Sequence, residues 1–192
     1  MNHRLASTFS TLVVPLLVAG SGAAMADSQP MRMDTNISEQ QVLNAQQGWC
    51  KGLLAISKAY AMGGFALAET TASKILDQAY AYKYGAVAFK PTLTQQPQTF
   101  RGTKAGALAY FVGGNPSYPN DKGFAIKPWQ TCSIRNQVIQ LHGNMAITMG
   151  NVDLTDNSGK QTTVDKTWAF VKEPDGEIRI VLHHSSLPFT AL

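Results

Sequence analysis

The chain reads as an α+β domain, helices first and an antiparallel sheet last. Apolar residues recur at helical spacing up to about residue 112, and the period drops to two after Pro128. The connectors His142-Gly143-Asn144, Asp156-Asn157-Ser158-Gly159 and Pro174-Asp175-Gly176 are short and rich in residues that tolerate chain reversal, so consecutive strands should pair as a meander.

The first 26 residues read as a cleaved signal peptide, with Arg4, the apolar run Leu12 to Val18 and the small-x-small site Ala24-Met25-Ala26. The run is too short for the roughly 20 apolar residues of a membrane span. Residues 27–36 read as a flexible polar leader, and residues 37–192 as one domain, periplasmic or secreted, with no membrane contact after cleavage.

Ser38 and Gln41 form a capping-box pattern, with Ile37 and Val42 spaced as a hydrophobic staple. Val42, Trp49, Leu53, Ile56 and Tyr60 then make one apolar stripe that Gly63-Gly64 ends. A second helix is predicted over Phe65 to Tyr84, with Ala68, Ala72, Ile75, Leu76 and Ala79 inward, and a short strand over Val87 to Phe89. Thr103 caps a third helix through Leu108, Phe111 and Val112, stopped by Gly113-Gly114. The alternating sets Ile139/Leu141, Met145/Ile147/Met149, Val164/Trp168/Phe170 and Ile178/Ile180/Leu182 predict the strands.

Cleavage would remove Arg4 from the 16 Lys and Arg and none of the 12 Asp and Glu, leaving a net charge of about +3 (15 minus 12). Positive residues stand singly, without the basic stripe that tracks phosphates, so no nucleic-acid partner is expected. Cys50 and Cys132 are an even pair in an oxidising compartment; they read either as a disulfide or as two small buried hydrophobes. No Gly-x-Ser-x-Gly elbow, His-Glu-x-x-His or phosphate-cradling loop is present, and no cofactor or metal is called for.

Several segments resemble the nuclear transport factor 2-like superfamily, and within it a bacterial exported group similar to the calcium/calmodulin-dependent kinase II association domain. They are Phe89-Lys90-Pro91-Thr92, Ala107 to Pro116, Asp121-Lys122-Gly123-Phe124-Ala125 and the tail His183-His184-Ser185-Ser186-Leu187-Pro188. The resemblance implies a cone-like fold, in which N-terminal helices pack on a strongly curved, mainly antiparallel sheet around a pocket, assembled as a homodimer or larger ring. It implies no activity, because cyclases, isomerases, dehydratases and assembly modules share the fold. Proteins of this look have been labelled phosphoribosyl-AMP cyclohydrolase, which two distant cysteines and no acidic cluster do not support.

His183 and His184 leave a strand on opposite faces, so only one can enter the cone, and the alternation of Ile178, Ile180 and Leu182 assigns His184 inward. Lys166, in phase with Trp168, would sit at the rim with Trp168 as an apolar wall. Lys90 and Arg101 would present charge at the mouth. Asn151 and Trp168 stand where the association domain has pocket arginines. The expected function is therefore an exported oligomeric module that binds a small, anionic and apolar ligand, or serves assembly, through Lys90, Arg101, Asn151, Lys166, Trp168, His183 and His184, with no catalytic machinery. The alternative is an isomerase-, dehydratase- or cyclase-type enzyme in which His184 or Asp165 is the general acid/base.

Overall fold

The computed structural model describes residues 35–191. The expected signal peptide, and the leader up to residue 34, lie outside the described residues. Helix α1 (Glu39–Ala79) starts where the capping box places it: Ser38 Oγ accepts from the Gln41 backbone N–H at 3.2 Å, and Gln41 Oε1 accepts from the Ser38 N–H at 3.0 Å. Gly64, at φ 65° and ψ −157°, breaks α1 into the two arms that the glycine pair predicted. The first arm buries Val42, Trp49, Leu53 and Ile56 but leaves Tyr60 exposed at its end; the second buries Ala68, Ala72 and Leu76.

The second arm stops at Ala79, five residues before the expected Tyr84. Tyr80 takes an extended backbone and bridges to Ile180, which carries its ring into the core, and a 3-10 turn (Ala81–Lys83) follows. The phenol's buried hydrogen bonds, described below, outweigh the helical propensity of one more turn. Strand β1 (Ala88–Lys90) lies one residue later than the periodicity suggested, and α2 (Lys104–Val112) is capped by Thr103 as read.

Strands β2 (Trp129–His142), β3 (Met145–Asp156), β4 (Gln161–Lys172) and β5 (Ile178–Ser186) form the meander, and β1 adds in parallel beside β5, giving the order β1-β5-β4-β3-β2. Besides a register shift at Gln130, at the start of β2, two irregularities bend this sheet. Gln137 is extra between Asn136 and Val138 opposite β3, and Val181 is extra between the pairs Ala169–Leu182 and Phe170–Ile180. Gly150 lies under the first of them, where a Cβ would run into the Arg135 carbonyl. The result is a curled, mixed but mainly antiparallel sheet packed against the helices, the α+β class the sequence predicted.

The bulge at Val181 corrects one expectation. Alternation counted through Ile178, Ile180 and Leu182 assumes a regular strand, but the extra residue reverses the parity beyond it, so His183 and Ser185 point inward and His184 outward. The interior is also fuller than an open cone pocket. Trp168, Phe170, Phe89, Ile180 and His183 are each at most 2 % exposed, and the void between Trp49, Leu76, Tyr80 and Phe111 holds only about 10 Å³. Cys50 on α1 is disulfide-bonded to Cys132 on the edge strand β2, with Cα atoms 5.5 Å apart, so the helix is stapled to the sheet one residue from Trp49.

Candidate functional site

The inner face of β5 carries His183 into a column of aromatic rings. Phe89 of β1 stacks on the imidazole at 4.4 Å between centroids, and Trp49 and Trp168 flank it at 5.7 and 5.8 Å. Both ring nitrogens are engaged. Nδ1 lies 2.8 Å from Tyr80 Oη, which also accepts the Trp49 indole N–H at 2.9 Å, and Nε2 lies 2.7 Å from Lys166 Nζ. Four residues from α1, its C-terminal exit, β4 and β5 thus form one continuous buried chain.

Lys166 is the exceptional member. Its ammonium would have no carboxylate within ion-pair distance among the described residues, only the faces of Trp49 and Trp168 at 4.6 and 5.4 Å and a histidine nitrogen. Removing that charge from water is so costly that burial lowers its pKa to about 7. The same burial, then the neighbouring charges of Lys166 and His184, hold His183 well below its ordinary value, and burial first of all holds Tyr80 well above its own. The cluster is built to be neutral.

Two residues along the same face, Ser185 is 2 % exposed, and its hydroxyl lies 2.6 Å from that of Thr92 in the turn after β1. Tyr110 of α2 completes the group. Its hydroxyl is buried without a hydrogen bond of good geometry; burial pushes its pKa up, while the Thr92 side chain and the Leu93 and Thr92 backbone, lying close by, oppose that shift. A buried phenol without a partner is rare enough to require an explanation. Here it is a donor held ready beside two hydroxyls that can donate or accept. Lys166 is the direct cross-strand partner of Ser185, so the hydroxyls and the Lys166–His183 chain adjoin.

The residues singled out in the sequence divide between the two faces of the sheet. Lys166, Trp168 and His183 meet inside, with Lys166 buried, not at a rim. His184, Asp165 and Asn151 lie outside around a depression of about 340 Å³, where Asn151 Nδ2 donates to Asp165 Oδ1 at 2.8 Å. His184 and Asp165 therefore cannot act in the interior. Lys90 Nζ donates to the Ser185 carbonyl at 3.1 Å and tethers β1 to β5. Arg101 is buried, held bidentately by Asp121 at 2.9 and 3.1 Å and lying over Tyr118 at 4.7 Å, so it is spent on the loop and offers no charge at a mouth. Thr92 and Tyr110 lie in two of the segments that carried the family resemblance but were not singled out as site residues; their convergence with Ser185 through the Thr92 hydroxyl marks them.

A family model and a close relative identify the family. The family model described as metal-independent carbonic anhydrase matches residues 40–187. A metal-independent carbonic anhydrase from Nostoc sp. (strain PCC 7120 / SAG 25.82 / UTEX 2576) is 48 % identical over 181 residues, 93 % of this chain and 88 % of its own length. The crystal structure of a cyanobacterial iota-carbonic anhydrase complexed with bicarbonate is 50 % identical, with TM-score 0.83 over 85 % of this chain and 99 % of that one. A structure from Xanthomonas campestris, described as a candidate calcium/calmodulin-dependent protein kinase II association domain, shares the fold at 20 % identity and TM-score 0.55, covering 84 % of this chain and 95 % of that one. These matches overturn the expectation of a module without catalytic machinery: the matched family and its 48 % identical member carry an enzyme's name.

Proposed function

Because the chain belongs to the metal-independent carbonic anhydrase family, we propose that it interconverts carbon dioxide and bicarbonate, with the substrate held among Thr92, Tyr110 and Ser185. The observation that carries this reading is the buried hydroxyl of Tyr110, without a hydrogen bond of good geometry, beside Thr92, whose own hydroxyl meets that of Ser185. Bicarbonate has only four heavy atoms, and a nearly filled interior suits it better than the larger apolar ligand an open cone would take. Its oxygens need donors and its hydroxyl needs an acceptor, and a phenol with two alcohols offers both. Buried dipoles of fixed direction stabilise the negative charge that develops as water adds to carbon dioxide, without reorganising at the moment of reaction.

The donor set fits chemistry carried by side chains. Among the described residues no three His, Cys, Asp or Glu side chains gather as a metal centre would require, and both nitrogens of His183 are already committed. The test is stopped-flow hydration of carbon dioxide by protein dialysed against a chelator. The wild type should retain its full rate, and Tyr110→Phe should lose about 100-fold, the effect of deleting one such donor. A rate that chelation abolishes, or an unchanged Tyr110→Phe, would sink the reading.

We place the reaction outside the cytoplasm, a reading supported by the signal-like N-terminal segment and by the Cys50–Cys132 disulfide. We also infer that the protein assembles with itself through the outer sheet face. Val138, Met149, Ile147 and Met145 stand out there, between 36 % and 55 % exposed, on adjacent positions of β2 and β3. Light scattering should report a dimer or larger ring, and a monomer at micromolar concentration would contradict this.

A further inference from the structure

Hydroxyls can orient water and bicarbonate, but hydration also releases a proton, and an alcohol or phenol is too weak a base to hold it. The amine of Lys166 has the complementary defect: it is buried without a counter-ion among the described residues. Among the described residues its hydrogen-bond partner is His183 Nε2 at 2.7 Å, and its main chain pairs with that of Ser185, whose hydroxyl meets Thr92.

We propose that Lys166 is the proton acceptor of the hydration step, positioned by His183, whose Nε2 lies 2.7 Å from the amine and leaves the lone pair free when it accepts one of the amine's N–H groups. This rests on the carbonic anhydrase reading. In the forward direction an O–H bond of a water held by the hydroxyls breaks and its proton goes to Nζ. The water oxygen forms a C–O bond to carbon dioxide, and one C=O electron pair moves onto oxygen, giving bicarbonate beside an ammonium. In reverse, the ammonium protonates the bicarbonate hydroxyl, which leaves as water. The ammonium formed in the hydration step thus has a counter-ion while bicarbonate is present.

The titratable groups around Lys166 are few. Among the described residues they are His183 on β5 and, through it, Tyr80 after α1, with Asp165 and His184 on the outer side of the sheet; α1 contributes the neutral indole of Trp49. Burial poises the amine near neutrality, so hydration should rise with pH through about 7 and dehydration should fall over the same range.

The deciding experiment measures hydration against pH for the wild type and Lys166→Met, with the fold of the variant verified by circular dichroism. The variant should be slowed about 100-fold or more and its rate should lose the inflection near neutrality. A variant within threefold of the wild type, or one that keeps the inflection, overturns the assignment. Nitrogen-15 NMR of wild-type His183 at pH 8 decides independently of folding in the variant: a ring protonated at Nδ1 supports it, and one protonated at Nε2, capping the lone pair, overturns it. A wild type that hydrates no carbon dioxide refutes the family reading instead, a result this pair of measurements keeps separate.

Discussion

If the Lys166 amine is neutral in the folded protein, replacing it with methionine should stabilise the chain and remove a specific pH dependence. Burial lowers its pKa from 10.5 to about 7, so at pH 7 the site costs about 4 kcal/mol relative to the unfolded lysine. Methionine keeps the length and apolar stem but leaves His183 Nε2 unpaired, a loss of about 1–3 kcal/mol. The net gain at pH 7 is thus about 1–3 kcal/mol, or roughly 2–10 °C in Tm for a domain of this size. Between pH 7.5 and 9.5 the unfolded chain binds the Lys166 proton and the folded chain does not. Raising the pH therefore disfavours the unfolded state, which binds the extra proton, and stabilises the native state by up to about 1.4 kcal/mol per pH unit. The cost is complete below pH 7 and vanishes above about 10.5. His183, held low, titrates below this window, and the buried tyrosines, held high, titrate above it. Urea unfolding at pH 7.5, 8.5 and 9.5 should show wild-type stability rising on the variant, the difference shrinking by about 2 kcal/mol or more. Parallel curves would mean that the folded protein keeps Lys166 protonated and would refute the reasoning.

Other perturbations separate the two faces of the sheet and the supports of the site. His184→Ala, outside the fold's interior, should leave hydration within about twofold of the wild type in stopped-flow assays, since surface changes rarely exceed ±0.5 kcal/mol. Reducing Cys50–Cys132, which closes a loop of 82 residues, should lower unfolding stability by about 2–4 kcal/mol in urea titrations with and without reductant. Gly150→Ala forces a methyl against the Arg135 carbonyl and should cost about 1–3 kcal/mol by the same titration, with the bulge at Gln137 disturbed in the hydrogen-exchange pattern.

The helices were legible because their signals are local: Ser38 with Gln41, Gly64, Thr103 and Gly113 each act within a turn of where they stand. The strands were legible as period two, but which face they show was not, because Val181 adds one residue whose effect on parity appears only in the pairing with β4. That single insertion exchanges His184 for His183. Tyr80 was read as helical for a similar reason, since its preference for the core depends on Trp49 and His183, 31 and 103 positions away. Lys166 and Trp168 were placed on one face correctly, whereas the depth of Lys166 is set by α1 lying over it. Thr92, Tyr110 and Ser185 come from a turn, a helix and a strand, and no spacing rule joins them.

Carbon-13 exchange NMR on labelled bicarbonate and dissolved carbon dioxide, with chelated protein at equilibrium, tests the central claim most directly. Wild type should speed the exchange many-fold over buffer, and Tyr110→Phe should return it nearly to the buffer rate. Exchange no faster than buffer, or exchange restored only by an added divalent metal, would contradict it.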